Sequence, residues 1–161
     1  MYSVLRWISL SEVRMRNLKR LLLLFRLFLL LSLLGCGNAY AEVVVVVDAK
    51  AGIESLTRDE VINIFLGRHR KLPTGIGAVP ADQPVENGLR AEFYRKLVGK
   101  DLSEINVYWA RLYFSGKTPP PLPLSSTKEV LDHIIRTPGG IGYIDRAQVD
   151  ARVRVVMSFP P

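Results

Sequence analysis

The sequence predicts an α/β domain, a small and mostly parallel sheet flanked by helices, behind an N-terminal leader. Three observations carry that prediction. Val43 to Val47 is an unbroken β-branched run, which suits a strand covered on both faces. Leu56–Val61 and Ser126–Glu129 both carry helix-start signatures. Strand-like and helix-like stretches then follow one another as β-α-β-α-α-α-β-β across residues 42–161.

The leader occupies residues 1–41, with Met15 offering an alternative start. Arg14, Arg16, Lys19 and Arg20 form a positive region, Leu27 to Leu34 an apolar one, and Ala39-Tyr40-Ala41 a small-x-small cleavage site. This is a signal peptide for export to the periplasm, with cleavage expected before Glu42. The uncharged run beyond Arg26 is short for a bilayer core of about 30 Å, so no stable membrane span is expected after processing. Leu33-Leu34-Gly35-Cys36 loosely matches a lipobox, which leaves a lipoprotein anchored at Cys36 as the competing outcome.

Within the expected domain, Thr57 and Glu60 form a capping box and Leu56 and Val61 a hydrophobic staple, starting a helix that runs to Gly67. Arg68-His69-Arg70-Lys71 reads as a basic loop and Ile76 to Val79 as the second strand. Asn87 caps a helix whose Leu89, Phe93, Tyr94 and Leu97 share one face before Gly99. Ser103 opens the next, with Ile105, Tyr108, Trp109, Leu112 and Tyr113 as a core stripe. Thr118 to Pro123 holds four prolines and reads as an extended connector. A second capping box at Ser126–Glu129 starts a helix with Val130, Leu131, Ile134 and Ile135 inward, and Ile141–Ile144 and Val153–Met157 are the last strands.

Composition narrows the function. The formal charge of +7 belongs largely to the leader, whose six basic and one acidic residues contribute +5. Beyond it, 16 basic and 14 acidic side chains leave +2, a near balance that argues against a nucleic-acid footprint. Cys36 is the lone cysteine and lies in the leader, so the domain holds no disulfide or zinc–thiolate site. His69 and His133 stand apart from acidic or histidine partners at ligand spacing, and no cofactor or metal is expected. Signatures for a nucleophile elbow, a zinc protease or a phosphate-cradling loop are absent.

The segment from Asp82 to Arg90 is the candidate ligand site. Free N–H groups at the helix start Asn87-Gly88-Leu89-Arg90 favour an anion, and Arg90 adds a guanidinium. A surface pairing of Arg90 with Glu86 is the structural alternative. Asp82 or Glu86 acting as a base would make the protein an envelope enzyme, a rival reading.

Leu56-Thr57-Arg58-Asp59-Glu60 leading into Ile64-Phe65-Leu66-Gly67, then Phe93 and finally Pro138-Gly139-Gly140-Ile141-Gly142-Tyr143, resembles the phosphate-binding proteins that serve ABC transporters. Trp109 and Phe114-Ser115-Gly116-Lys117 are similar to the short members of that group. The resemblance implies one lobe of a type 2 periplasmic binding protein, a non-enzyme binding a small anion such as phosphate and working with an ABC transporter. Gly88-Leu89-Arg90 stands where that family has Ser-Gly-Thr, so the hydroxyl donors are missing. An envelope adaptor without ligand is therefore carried as the alternative.

Overall fold

A computed structural model describes residues 42–84 and 86–159 of the 161-residue chain. The leader readings, from the n-region to Cys36, lie outside them.

The valine run forms β1 (Val43–Asp48), and all five valines are fully buried. Successive side chains of a strand point to opposite faces. Val43, Val45 and Val47 accordingly join one core and Val44 and Val46 another. Burying each contributes roughly 1.5–3 kcal/mol, so this segment anchors both halves of the domain.

The other strands are β2 (Val79–Asp82), β3 (Leu122–Pro123), β4 (Gly140–Asp145) and β5 (Val153–Ser158), ordered β3-β2-β4-β1-β5. The α/β class stands, and the sheet is mixed. β2 runs parallel to β3 and β4, whereas β1 is antiparallel to both β4 and β5. The expected parallel character is thus confined to the β3-β2-β4 half. β1 takes its neighbours from the end of the chain, and Arg146 N–H donating to Glu42 C=O at 2.8 Å marks where β4 meets the start of β1.

Four helices cover the sheet: α1 (Arg58–Phe65), α2 (Gly88–Val98), α3 (Leu102–Phe114) and α4 (Thr127–Arg136). The first three contribute to the larger core with Val43, Val45 and Val47; α4 closes the smaller one. The α1 capping box is complete, and Leu56 and Val61 are both buried. Asn87 caps α2 by accepting from Leu89 N–H at 3.0 Å, and Gly99 ends the helix.

Several boundaries differ from expectation. The second strand begins at Val79 rather than ending there, because Val79 N–H donates to Gly139 C=O and pairing continues through Pro80. Pro80 is tolerated since alternate residues of a strand face opposite neighbours, and its missing donor faces the β3 side before β3 begins. The proline-rich connector therefore contains a two-residue strand. Asp101, not Ser103, caps α3, because Asp101 and Glu104 form a reciprocal box. At α4 only half the expected box exists: Ser126 accepts from Glu129 N–H, but Glu129 accepts from Ser125 N–H. The α3 stripe is buried only at Ile105 and Trp109, and Tyr113 is 64% exposed. The last turn of α3, with Tyr113 and Phe114, lacks a covering element among the described residues.

Candidate functional site

Asp82 ends β2, and its carboxylate is buried among four donors. Oδ1 accepts from Gln83 N–H at 3.0 Å and from the Tyr143 hydroxyl; Oδ2 accepts from Arg90 Nε at 2.9 Å and the Tyr94 hydroxyl at 3.2 Å. Three elements bring these groups together. Arg90 and Tyr94 stand one helical turn apart on the inward face of α2, and β4 delivers Tyr143 beside β2. Phe93 stacks on Tyr143 with ring centroids 3.7 Å apart, and Phe65 meets both edge-on, sealing the cluster toward the core.

The electrostatics follow from that enclosure. Burial pushes the Tyr94 and Tyr143 pKa values up, and the adjoining Asp82 carboxylate pushes them further, so both hydroxyls remain donors. Burial works against the Arg90 charge, but Asp82 outweighs it and the Arg90 pKa is raised. Arg90 Nη2 reaches Asn106 Oδ1 at 3.4 Å, while buried Nη1 has no acceptor among the described residues.

Gln83, 1% exposed, extends the network. Its Nε2 donates to Tyr143 C=O at 2.9 Å, and its Oε1 accepts from Asn87 Nδ2 and Thr127 Oγ1, each at 3.3 Å. One carboxamide thus ties the N-terminal ends of α2 and α4 together.

Of the residues singled out in the sequence, Asp82 and Arg90 meet directly and Asn87 joins them through Gln83. Leu89 faces the core and offers only its backbone; Gly88 is exposed at the first helical position. Arg90 does not pair with Glu86. α2 starts at Gly88, so Glu86 lies outside the helix, exposed, while Arg90 turns inward. Gln83, Tyr94 and Tyr143 complete the cluster without having been singled out for it. Tyr94 was legible as Arg90's i+4 neighbour; nothing local marks Gln83. Both Asp82 oxygens are enclosed and already accept two hydrogen bonds each. His69 is exposed, and His133 lies half-buried with Nε2 3.3 Å from Val79 C=O. No three metal-ligating side chains cluster among the described residues, and no helix there is long and apolar enough to cross a membrane.

No family model and no curated protein matches the chain. Solved structures do. A protein from Clostridium perfringens assigned as a phosphate ABC transporter substrate-binding protein, with bound phosphate, matches with a TM-score of 0.58 at 16% identity, over 71% of this chain and 44% of that one. The fold is similar to part of that protein's fold. An ABC-type phosphate transport receptor from Vibrio cholerae matches with a TM-score of 0.57 at 18% identity, over 71% of this chain and 45% of its own. This chain spans less than half the length of either. Both neighbours are binding proteins rather than enzymes.

Proposed function

We propose that residues 42–161 form a solute-binding domain of the phosphate-binding type that takes a small oxyanion, phosphate first, at the start of α2, and that it is no enzyme. The observation that carries this reading is Arg90. Its charge is held in the first turn of α2 by Asp82, and its buried Nη1 has no acceptor among the described residues, a donor left over for an anion. Binding is weak, in the millimolar range, because a ligand held by one lobe keeps most of its surface in water. An ABC transporter is the partner class that the neighbours suggest.

Gly88→Glu tests the site without disturbing the fold. A Cβ at Gly88 meets nothing within 4 Å, and a carboxylate at a first helical position favours the helix. Calorimetric titration with phosphate should show saturable binding in the wild type and a loss of at least about tenfold in the variant, the effect of opposing rather than supporting charge. Absence of heat in the wild type at millimolar phosphate rejects the proposal.

That outcome favours the adaptor reading, for which there is a specific observation. Val79 and Leu122 are exposed along a groove of about 520 Å³ that Pro119 to Pro123 line.

The proposal also places the domain in the periplasm after cleavage at Ala41. Intact mass of the processed protein should begin at Glu42; a diacylated Cys36 at the terminus would establish the anchored form instead.

A further inference from the structure

A trough of about 930 Å³ opens between α1 and α3, with the C-terminal end of α2 as its end wall. The half-buried Ile62, Val98 and Tyr108 give it an apolar floor, with the buried Leu66 and Ile105 beneath them. The Tyr108 hydroxyl donates to Leu66 C=O at 2.7 Å, which pins the floor across the two helices. The rim is basic, with Arg58, Arg68, Lys100 and Arg111 against one carboxylate, Glu104. That is a net +3 on one surface of a domain whose total is +2.

The two ends of the rim differ. Arg58 donates to the carbonyls of Lys96 and Leu97, and Lys100 pairs with Glu104. Arg68 and Arg111 have no carboxylate partner among the described residues. Arg58 also lacks a carboxylate there but is engaged by the α2 carbonyls, so the guanidiniums left open to a ligand among the described residues are those of Arg68 and Arg111.

We propose that this trough binds a single-chain anionic amphiphile, its chain on the apolar floor and its head group at Arg68 and Arg111. The volume falls in the range of small-ligand sites, about 300–1,000 Å³. Val107, 58% exposed, is the one strongly exposed large hydrophobic residue lining it, far short of the roughly 800 Å² that each partner of a stable protein interface buries. A bare inorganic anion would gain little from two solvent-exposed arginines. The chain supplies the affinity, roughly fourfold per buried methylene.

Decanoate below its micellar concentration is the probe, titrated into the protein as isolated and followed by calorimetry. The expected result is saturable one-to-one binding that inorganic phosphate does not displace. Uncharged decanol should bind about tenfold more weakly, the loss of a charge-assisted contact. The double variant Arg68→Gln/Arg111→Gln should weaken decanoate by a similar factor and leave decanol unchanged. Gly88→Glu, which tests the phosphate proposal, should leave decanoate binding intact, so the two readings fail separately. Undiminished decanoate binding in the double variant overturns the assignment, as does decanol binding as tightly as decanoate. Displacement by phosphate would make the trough a plain anion site, and displacement at lower concentration by a synthetic acidic amphipathic helix would assign it to a protein partner; either result also overturns it.

Discussion

The two faces of the sheet are built to different ends. On the α4 side, Val44, Val46, Val130, Ile134 and Ile144 make a small apolar core closed by a single helix. On the other side three helices enclose aromatic rings and, at the rim of that core, a buried ion pair. The α4 face relies on close approach, and the α1–α3 face holds charge in place at the cost of desolvation. The buried β1 valines join the two.

The sharpest way to break the comparison is to remove the charge. Asp82→Ala leaves the Arg90 guanidinium buried without its carboxylate and two tyrosine hydroxyls without an acceptor, and should destabilise by about 3–5 kcal/mol. Urea unfolding measures this. A loss below about 1 kcal/mol, the value of a surface pair, would show that the cluster is not buried as described.

The next largest effect belongs to the α4 face. A Cβ at Gly140 would lie 2.8 Å from Ile134 Cα and 2.9 Å from Ile134 O, backbone atoms that cannot rotate aside. Gly140→Ala should therefore cost about 1–3 kcal/mol through overpacking. Gly88→Ala, with open space before it, should leave the melting temperature nearly unchanged. Similar losses at both glycines would refute the contrast between a tight face and an open one.

Legibility in the sequence divides along the same line. Elements set by local chemistry were readable: the valine run of β1, the Thr57–Glu60 box and the Asn87 cap. Features set by distant partners were not. Pro80 argues locally against a strand, and β2 exists because Gly139 and Ile141 receive it. Tyr113 continues a helical stripe perfectly well, yet no described element covers it. At the site, Asp82 and Arg90 were both legible as ligand candidates, but their mutual pairing spans a loop whose geometry no spacing rule contains. Gln83 and Tyr143 meet across 60 residues of sequence.

The smallest effect sharpens the comparison through pH. Tyr94 and Tyr143 share the Asp82 carboxylate, and burial followed by that charge raises both above the ordinary tyrosine value of 10.0. Below that value both are neutral whether the chain is folded or not, so they contribute no pH dependence. Above it the unfolded chain releases these protons while the folded one keeps them. The unfolded state then binds fewer protons, and stability falls as pH rises, by at most about 1.4 kcal/mol per pH unit for each tyrosine. Urea titrations between about pH 8 and 11 should be flat at first and then decline. Tyr94→Phe should make the decline shallower without abolishing it. Lys100 titrates in the same region, its pKa raised by the hydrogen bond to Glu104, so the series is repeated in Lys100→Gln. The smaller core contains only hydrocarbon side chains and contributes nothing to this slope. Stability that stays level to pH 11 in the Lys100→Gln background would mean that water reaches these hydroxyls in the folded protein. The Asp82 cluster would then be an open site rather than a sealed one, and the difference between the two faces would have to be drawn elsewhere.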